Sequence, residues 1–247
     1  MTGVWLEELT WPEAKARFDS DAVVVIPIGA ASKAHGAHLP LKTDALTARA
    51  LAQRLVERLP VVAAPVVGFG YYPAFTGFAG SQHLGADTFR ALMRELIASF
   101  TAHGVRRIAL INTGVSTEKP LDEVAAETGA LALHMRLTGQ AAEPLIEHRE
   151  GGHADERETS IMLAIAPELV RMELAKRDYG REPALGVFVT PTTMQSTDAN
   201  AADYSETGAF GDPTLASAEK GRAFLDVMIA DLIEGLIAMF PDLQSAR

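Results

Sequence analysis

Apolar residues along this chain follow two alternating patterns. Short continuous runs at 22–28 (AVVVIPI), 61–67, 107–112 and 130–137 are separated by stretches in which apolar positions recur every three or four residues. The runs predict strands buried on both faces, as in a parallel sheet. The periodic stretches predict helices over 44–59, 87–102, 121–128, 156–166 and 215–240. In the first of these Leu46, Ala50, Leu51, Leu55 and Leu59 share a face, and Pro167 closes the fourth. Thr10-Trp11-Pro12-Glu13 has the spacing of a capping box and predicts a short helix. One more strand is predicted at 184–189. Strands alternating with helices make βαβ units, so the expected class is α/β with a mainly parallel central sheet. No repeat or linker divides the chain, and a single domain over 1–247 is the simplest account.

Composition narrows the function more than the fold. The 247 residues are 48% hydrophobic and 22% charged, enough for one α/β domain with a sizeable core. With 22 Lys and Arg against 32 Asp and Glu, and no basic cluster, a nucleic acid or an anionic membrane is a poor partner. The absence of cysteine excludes disulfides and thiolate sites, leaving His, Asp and Glu as the strong metal ligands. The first ten residues carry Glu7 and Glu8 and no apolar core, unlike a signal peptide. The uncharged stretch 59–82 is broken by Pro60, Pro65 and Pro73, unlike a spanning helix. The expectation is a cytoplasmic protein acting on a small molecule.

In open parallel sheets ligands bind beyond the carboxyl ends of the strands, and three polar segments follow predicted strands or lead into a predicted helix. The first, 32–44, holds His35, His38 and Asp44, plausible ligands for Zn²⁺ or Mn²⁺. The alternative is that Asp44 only caps its helix and a histidine satisfies the backbone. The second, 151–160, holds His153 with Asp155, Glu156 and Glu158. Glu156 and Glu158 cannot share a helix face, so at most one joins His153 in a proton-transfer pair. A charged first turn explains the acids equally well but leaves His153 unexplained. The third, Asn112-Thr-Gly-Val-Ser116-Thr117, suits an anion or carbonyl, or merely a connection. Asn112, Ser116 and Glu156 are the candidate substrate-binding residues. Trp5, Trp11, Phe69, Tyr71, Tyr72, Phe75 and Phe78 read as core or subunit contact, or as the cover of a cleft.

Taken in order, Leu9-Thr10-Trp11, Pro27-Ile-Gly29, His35-Gly-Ala-His38-Leu-Pro-Leu41, Thr43-Asp44 and Phe78-Ala-Gly80-Ser81 resemble the creatininase (creatinine amidohydrolase) family. The resemblance continues through His153-Ala154, Glu158-Thr-Ser160, Gly211-Asp-Pro213 and Ala218-Glu-Lys-Gly221, nearly the whole chain. It implies a three-layer α/β/α sandwich, often assembled as a homo-oligomer such as a hexamer, with a dimer as the alternative. It also implies two divalent ions, Zn²⁺ or Mn²⁺, that activate water to open an amide or cyclic amide. His35 and Asp44 match metal ligands, Asp44 the one shared by both ions; His153 matches the catalytic histidine and Glu158 its acidic neighbour.

Three of the five implied ligands are replaced, however. Lys33 stands where the family commonly has Glu, and Gly114 and Ser116 align with a His and a carboxylate. An ammonium at 33 suits the charge of Asp44 or an acidic substrate, unless it projects to solvent. His38 and Glu118 are the candidate substitutes for lost ligands. The expected function is hydrolysis of a C–N bond in a small amide, lactam or formamide by metal-activated water, with Lys33, His153 and Glu158 catalytic. The alternative is metal-free acid/base chemistry, or binding alone. Both tryptophans lie at the start of the chain, far from the catalytic segments, which argues against creatinine itself.

Overall fold

The computed structural model describes residues 3–147, 151–180, 196–201 and 203–246. The strand expected at 184–189 lies outside them. Among the described residues five strands form one sheet: β1 (Val4–Trp5), β2 (Val24–Ile28), β3 (Val62–Ala63), β4 (Ile108–Asn112) and β5 (Leu131–His134). Their order is β1-β3-β2-β4-β5, and every pairing is parallel. The central pair runs in register from Val24 opposite Ile108 to Ile28 opposite Asn112 and is buried throughout.

Alternation along these strands sorts their side chains onto two faces. Val25, Ala63, Ala109 and Ile111 pack with Leu51 and Leu55 of α2 (Thr43–Arg58) and with Phe224, Met228 and Leu232 of α6 (Ala218–Met239). Val24, Ile26, Val62, Ile108 and Leu110 pack with Phe89 and Met93 of α3 (Ala86–Ala102) and Leu121 and Val124 of α4 (Glu118–Thr128). Helices therefore cover both faces of a buried parallel sheet, an α/β/α sandwich. The capping box opens α1 (Trp11–Asp19), where the Thr10 N–H donates to Glu13 Oε2 at 2.8 Å.

Several boundaries depart from the expected ones for identifiable reasons. Of 61–67 only Val62–Ala63 is paired on both sides, because Pro65 has no N–H to give; the chain touches β2 again through a bridge between Ile28 and Val67. The strand expected to reach Leu137 stops at His134, and Met135–Leu137 is a helical turn. The last helix begins at Ala218, where the Ser217 side chain accepts from the Lys220 N–H, while Pro213–Leu215 makes a separate turn. β1 was not expected, since two residues are too few to show a period.

α5 (Glu156–Ile165) lies across α6. A Cβ on Gly221 would stand 1.8 Å from the Ser160 carbonyl oxygen, so only glycine admits this backbone contact. That crossing fixes the start of α5, which carries Glu158.

Candidate active site

The loop after β2, the first turn of α2, the loop after β4 and the segment entering α5 converge beyond the carboxyl ends of the strands. Gly29 makes the first junction: a Cβ there would lie 2.4 Å from the Asp44 carbonyl oxygen and 2.6 Å from Thr113 Oγ1. Asp44 is thereby drawn beneath the loop that carries Lys33 and His35.

Asp44 is buried, and its two oxygens meet two different cationic groups. Oδ1 lies 2.9 Å from His35 Nε2 and Oδ2 lies 2.8 Å from Lys33 Nζ. The second contact is an ion pair and not an aligned hydrogen bond, since Oδ2 has no such partner among the described residues. Burial by itself would push the Asp44 carboxyl up; the opposing pull of His35 and Lys33 outweighs it and holds the group well below the usual carboxylate range. His35 Nδ1 faces the Lys33 carbonyl oxygen at 2.8 Å. Both of its neighbours are acceptors, so the ring satisfies them only with a proton on each nitrogen. Tyr72 packs close by, with Lys33 Nζ 5.9 Å from its ring centre and its buried hydroxyl without a partner among the described residues.

His153 is buried between two rings, Phe75 at 3.9 Å and His35 at 4.5 Å between centroids. Its Nε2 lies 2.8 Å from the Ala34 carbonyl oxygen, which assigns the proton to Nε2 and a lone pair to Nδ1. Burial, then the charges of His35 and Lys33, hold its proton affinity well below that of a free imidazole, so His153 is neutral. Glu158 Oε2 sits 3.8 Å from Nδ1 and accepts the Ala154 N–H at 2.6 Å. Two non-glycine residues in left-handed backbone geometry flank this ring, Phe75 at φ 63° and Ala154 at φ 48°. Phe75 was read from the sequence as core or as a cleft cover; no local signal marks its backbone geometry.

These groups open onto a cavity of about 500 Å³. Lys33, Ser116, His153 and Glu158 line it, and so do Asp155 and Arg157. Asp155 caps α5 by accepting the Glu158 N–H at 3.0 Å; burial, then the Glu158 charge, push its carboxyl up to about 7. Arg157 pairs with Glu143 and lies 5.2 Å from the Phe224 ring centre.

Two expected substrate-binding residues do not line the cavity. Asn112 is buried and builds the loop after β4: its amide donates to the Gly114 carbonyl at 2.8 Å, and its oxygen accepts from Thr117 Oγ1 at 2.7 Å. Glu156 projects from the opposite side of α5 onto Lys220 and the Glu147 N–H, because two helical residues span about 200°. Ser116 reaches the cavity wall, but its hydroxyl donates to the Tyr71 carbonyl at 3.0 Å. His38, a candidate replacement ligand, turns its Nε2 to Thr159 Oγ1 at 2.8 Å instead.

A parallel α/β/α sandwich with a histidine and a carboxylate in a cavity at its strand ends has the architecture of a small-molecule enzyme. The Creatininase (creatinine amidohydrolase) family matches residues 7–236, and the chain belongs to that family. A mycofactocin precursor peptide peptidase of Mycobacterium tuberculosis is 31% identical over 230 residues, covering 88% of this chain and 86% of that protein. The creatinine amidohydrolase of Pseudomonas putida is 25% identical over 266 residues, covering 96% and 98%. A solved structure described as creatininase Mn superposes with a TM-score of 0.78 at 25% identity, covering 97% of this chain and 99% of that one.

The residues present here do not fit a two-ion centre. The carboxylate that would be shared holds an ammonium and an imidazole, both nitrogens of His35 face acceptors, and Gly114 offers no side chain where the family resemblance implies a ligand. Ser116 brings a neutral hydroxyl where the resemblance implies a carboxylate ligand. What remains is a sparser grouping: one ligand atom each from His35, His153 and Glu158 lies within 4.8 Å of the others.

Proposed function

We propose that this chain hydrolyses a C–N bond of a small amide-type molecule held in the cavity, without a two-ion centre. The observation that carries the reading is the 2.8 Å contact of Lys33 with Asp44 in a buried site, a fixed positive charge where the family resemblance places a cation. The cavity volume falls in the usual range for small-molecule sites. The peptide peptidase and the amidohydrolase among the relatives are both named for opening C–N bonds.

The chemistry follows from the protonation pattern. The lone pair on His153 Nδ1 takes a proton from a water whose oxygen bonds to the substrate carbonyl carbon. The ammonium of Lys33, ion-paired with Asp44, offers its N–H groups to the oxygen on which negative charge develops. As the C–N bond breaks, the proton on His153 passes to the leaving nitrogen, giving a carboxylic acid and an amine. Glu158, 3.8 Å from Nδ1, steadies the imidazole while it is charged.

The test is turnover on a panel of amides, lactams, formamides and short peptides before and after exhaustive chelation. Unchanged turnover is expected, with His153→Asn lowering kcat by about 10²–10⁴-fold. Strict metal dependence overturns the reading. A second reading, a hydrolase with one ion on His35, His153 and Glu158, draws on the proximity of those three groups. It requires His35 to release an acceptor, and its signature is one retained ion whose removal abolishes turnover.

A further inference from the structure

We infer that the Lys33 side chain closes a latent divalent-cation site, built on Asp44 and His35, which removal of that one ammonium opens. The inference rests on the reading that no two-ion centre is present. Three observations carry it.

Asp44 Oδ2 is buried, and among the described residues its only polar contact is the ion pair with Lys33, His35 being spent on Oδ1. Without the ammonium this oxygen is a stranded anionic donor that favours a cation strongly. Next, His35 is already held as metal-binding histidines are held. A backbone carbonyl fixes Nδ1 at 2.8 Å and aims Nε2 at the carboxylate. That anchor is the carbonyl of residue 33 itself, so it survives any side-chain substitution there. Finally, Lys33 lines the cavity while Asp44 lies behind it, so shortening or neutralising residue 33 opens a path for the ion. A glutamate at 33 adds a third ligand of the hard-oxygen type. Together with Asp44 and His35 this makes a donor set of two carboxylates and one imidazole, suited to Zn²⁺ or Mn²⁺.

The experiment compares the natural chain with Lys33→Glu and Lys33→Met. Each is equilibrated with Zn²⁺ or Mn²⁺, desalted, and measured for metal per chain by elemental mass spectrometry and for thermal unfolding with and without the metal. The natural chain is expected to retain essentially no ion and to show no metal-dependent shift. Lys33→Glu is expected to retain about one ion per chain and to gain on the order of 2–4 °C in Tm with Zn²⁺ or Mn²⁺. Adding His35→Ala to Lys33→Glu should abolish both effects. Lys33→Met, which removes the charge and adds no ligand, is expected to show a smaller metal-dependent rise, and it carries the test if the glutamate variant fails to fold. Folded Lys33 variants that take up no ion overturn the latent site and leave metal-free hydrolysis standing. A natural chain that retains two ions overturns both.

Discussion

Among the described residues two half-buried lysines pair with buried carboxylates, Lys33 with Asp44 beside the cavity and Lys220 with Glu156 of α5, and the two pairs are built differently. Lys220 reaches Glu156 and Glu147 and also donates to the Leu215 carbonyl, so its three N–H groups meet three acceptors. It ties α5 to α6 away from the cavity. Lys33 has one side-chain ion-pair partner among the described residues, Asp44, and it lines the cavity. A saturated ammonium is a structural fastener, whereas one left with open donors at a cavity wall can still act on a ligand. The same residue pairing therefore carries stability in one place and chemistry in the other.

Breaking the fastener gives the largest expected loss. Lys220→Met leaves Glu156 buried without its cation and should lower unfolding free energy by about 3–5 kcal/mol in a urea titration. Adding Glu156→Leu should recover most of it. If the single variant unfolds at the natural midpoint, the pair does not hold α5 to α6.

Acid should loosen the Lys33 side by a comparable amount. Burial, then the charge of His35, pull His38 down to about 4 from an ordinary value of 6.5. Its contribution is therefore fully present above about pH 6.5 and is lost as pH falls through about 4, roughly 3 kcal/mol in all. The difference between urea midpoints at pH 7 and pH 4 should shrink in His38→Asn.

Lys33→Met should be milder for folding, about 1–3 kcal/mol, because His35 still holds Asp44. Its effect on turnover should be larger than its effect on stability, on the order of 10²-fold or more in kcat. Equal losses in Lys33→Met and Lys220→Met on both measures would erase the distinction between the two corners. Thr10→Ala, remote from both, should cost about 1 kcal/mol through loss of the Thr10 side chain from the α1 capping box and leave turnover unchanged.

The periodicity of the chain by itself determined the central strands, the positions of the main helices and the α/β class. Those depend on local conformation and on which face of an element is apolar. The polar segments at the strand ends and helix starts brought His35, Asp44, His153 and Glu158 into view, and the resemblance to a family pattern added Lys33. Only the tertiary structure decided what each side chain meets. Asn112 turned inward to brace its own loop, and Glu156 went to Lys220 instead of the cavity. Phe75 became one wall of the His153 site from far along the chain. The sequence left Lys33 open between solvent and Asp44; packing decided it, since a 2.8 Å contact depends on how the loop after β2 passes over α2 at Gly29. Hydrophobic patterning is periodic and readable, but charge pairing acts over a few ångströms between segments whose separation in space no local pattern specifies.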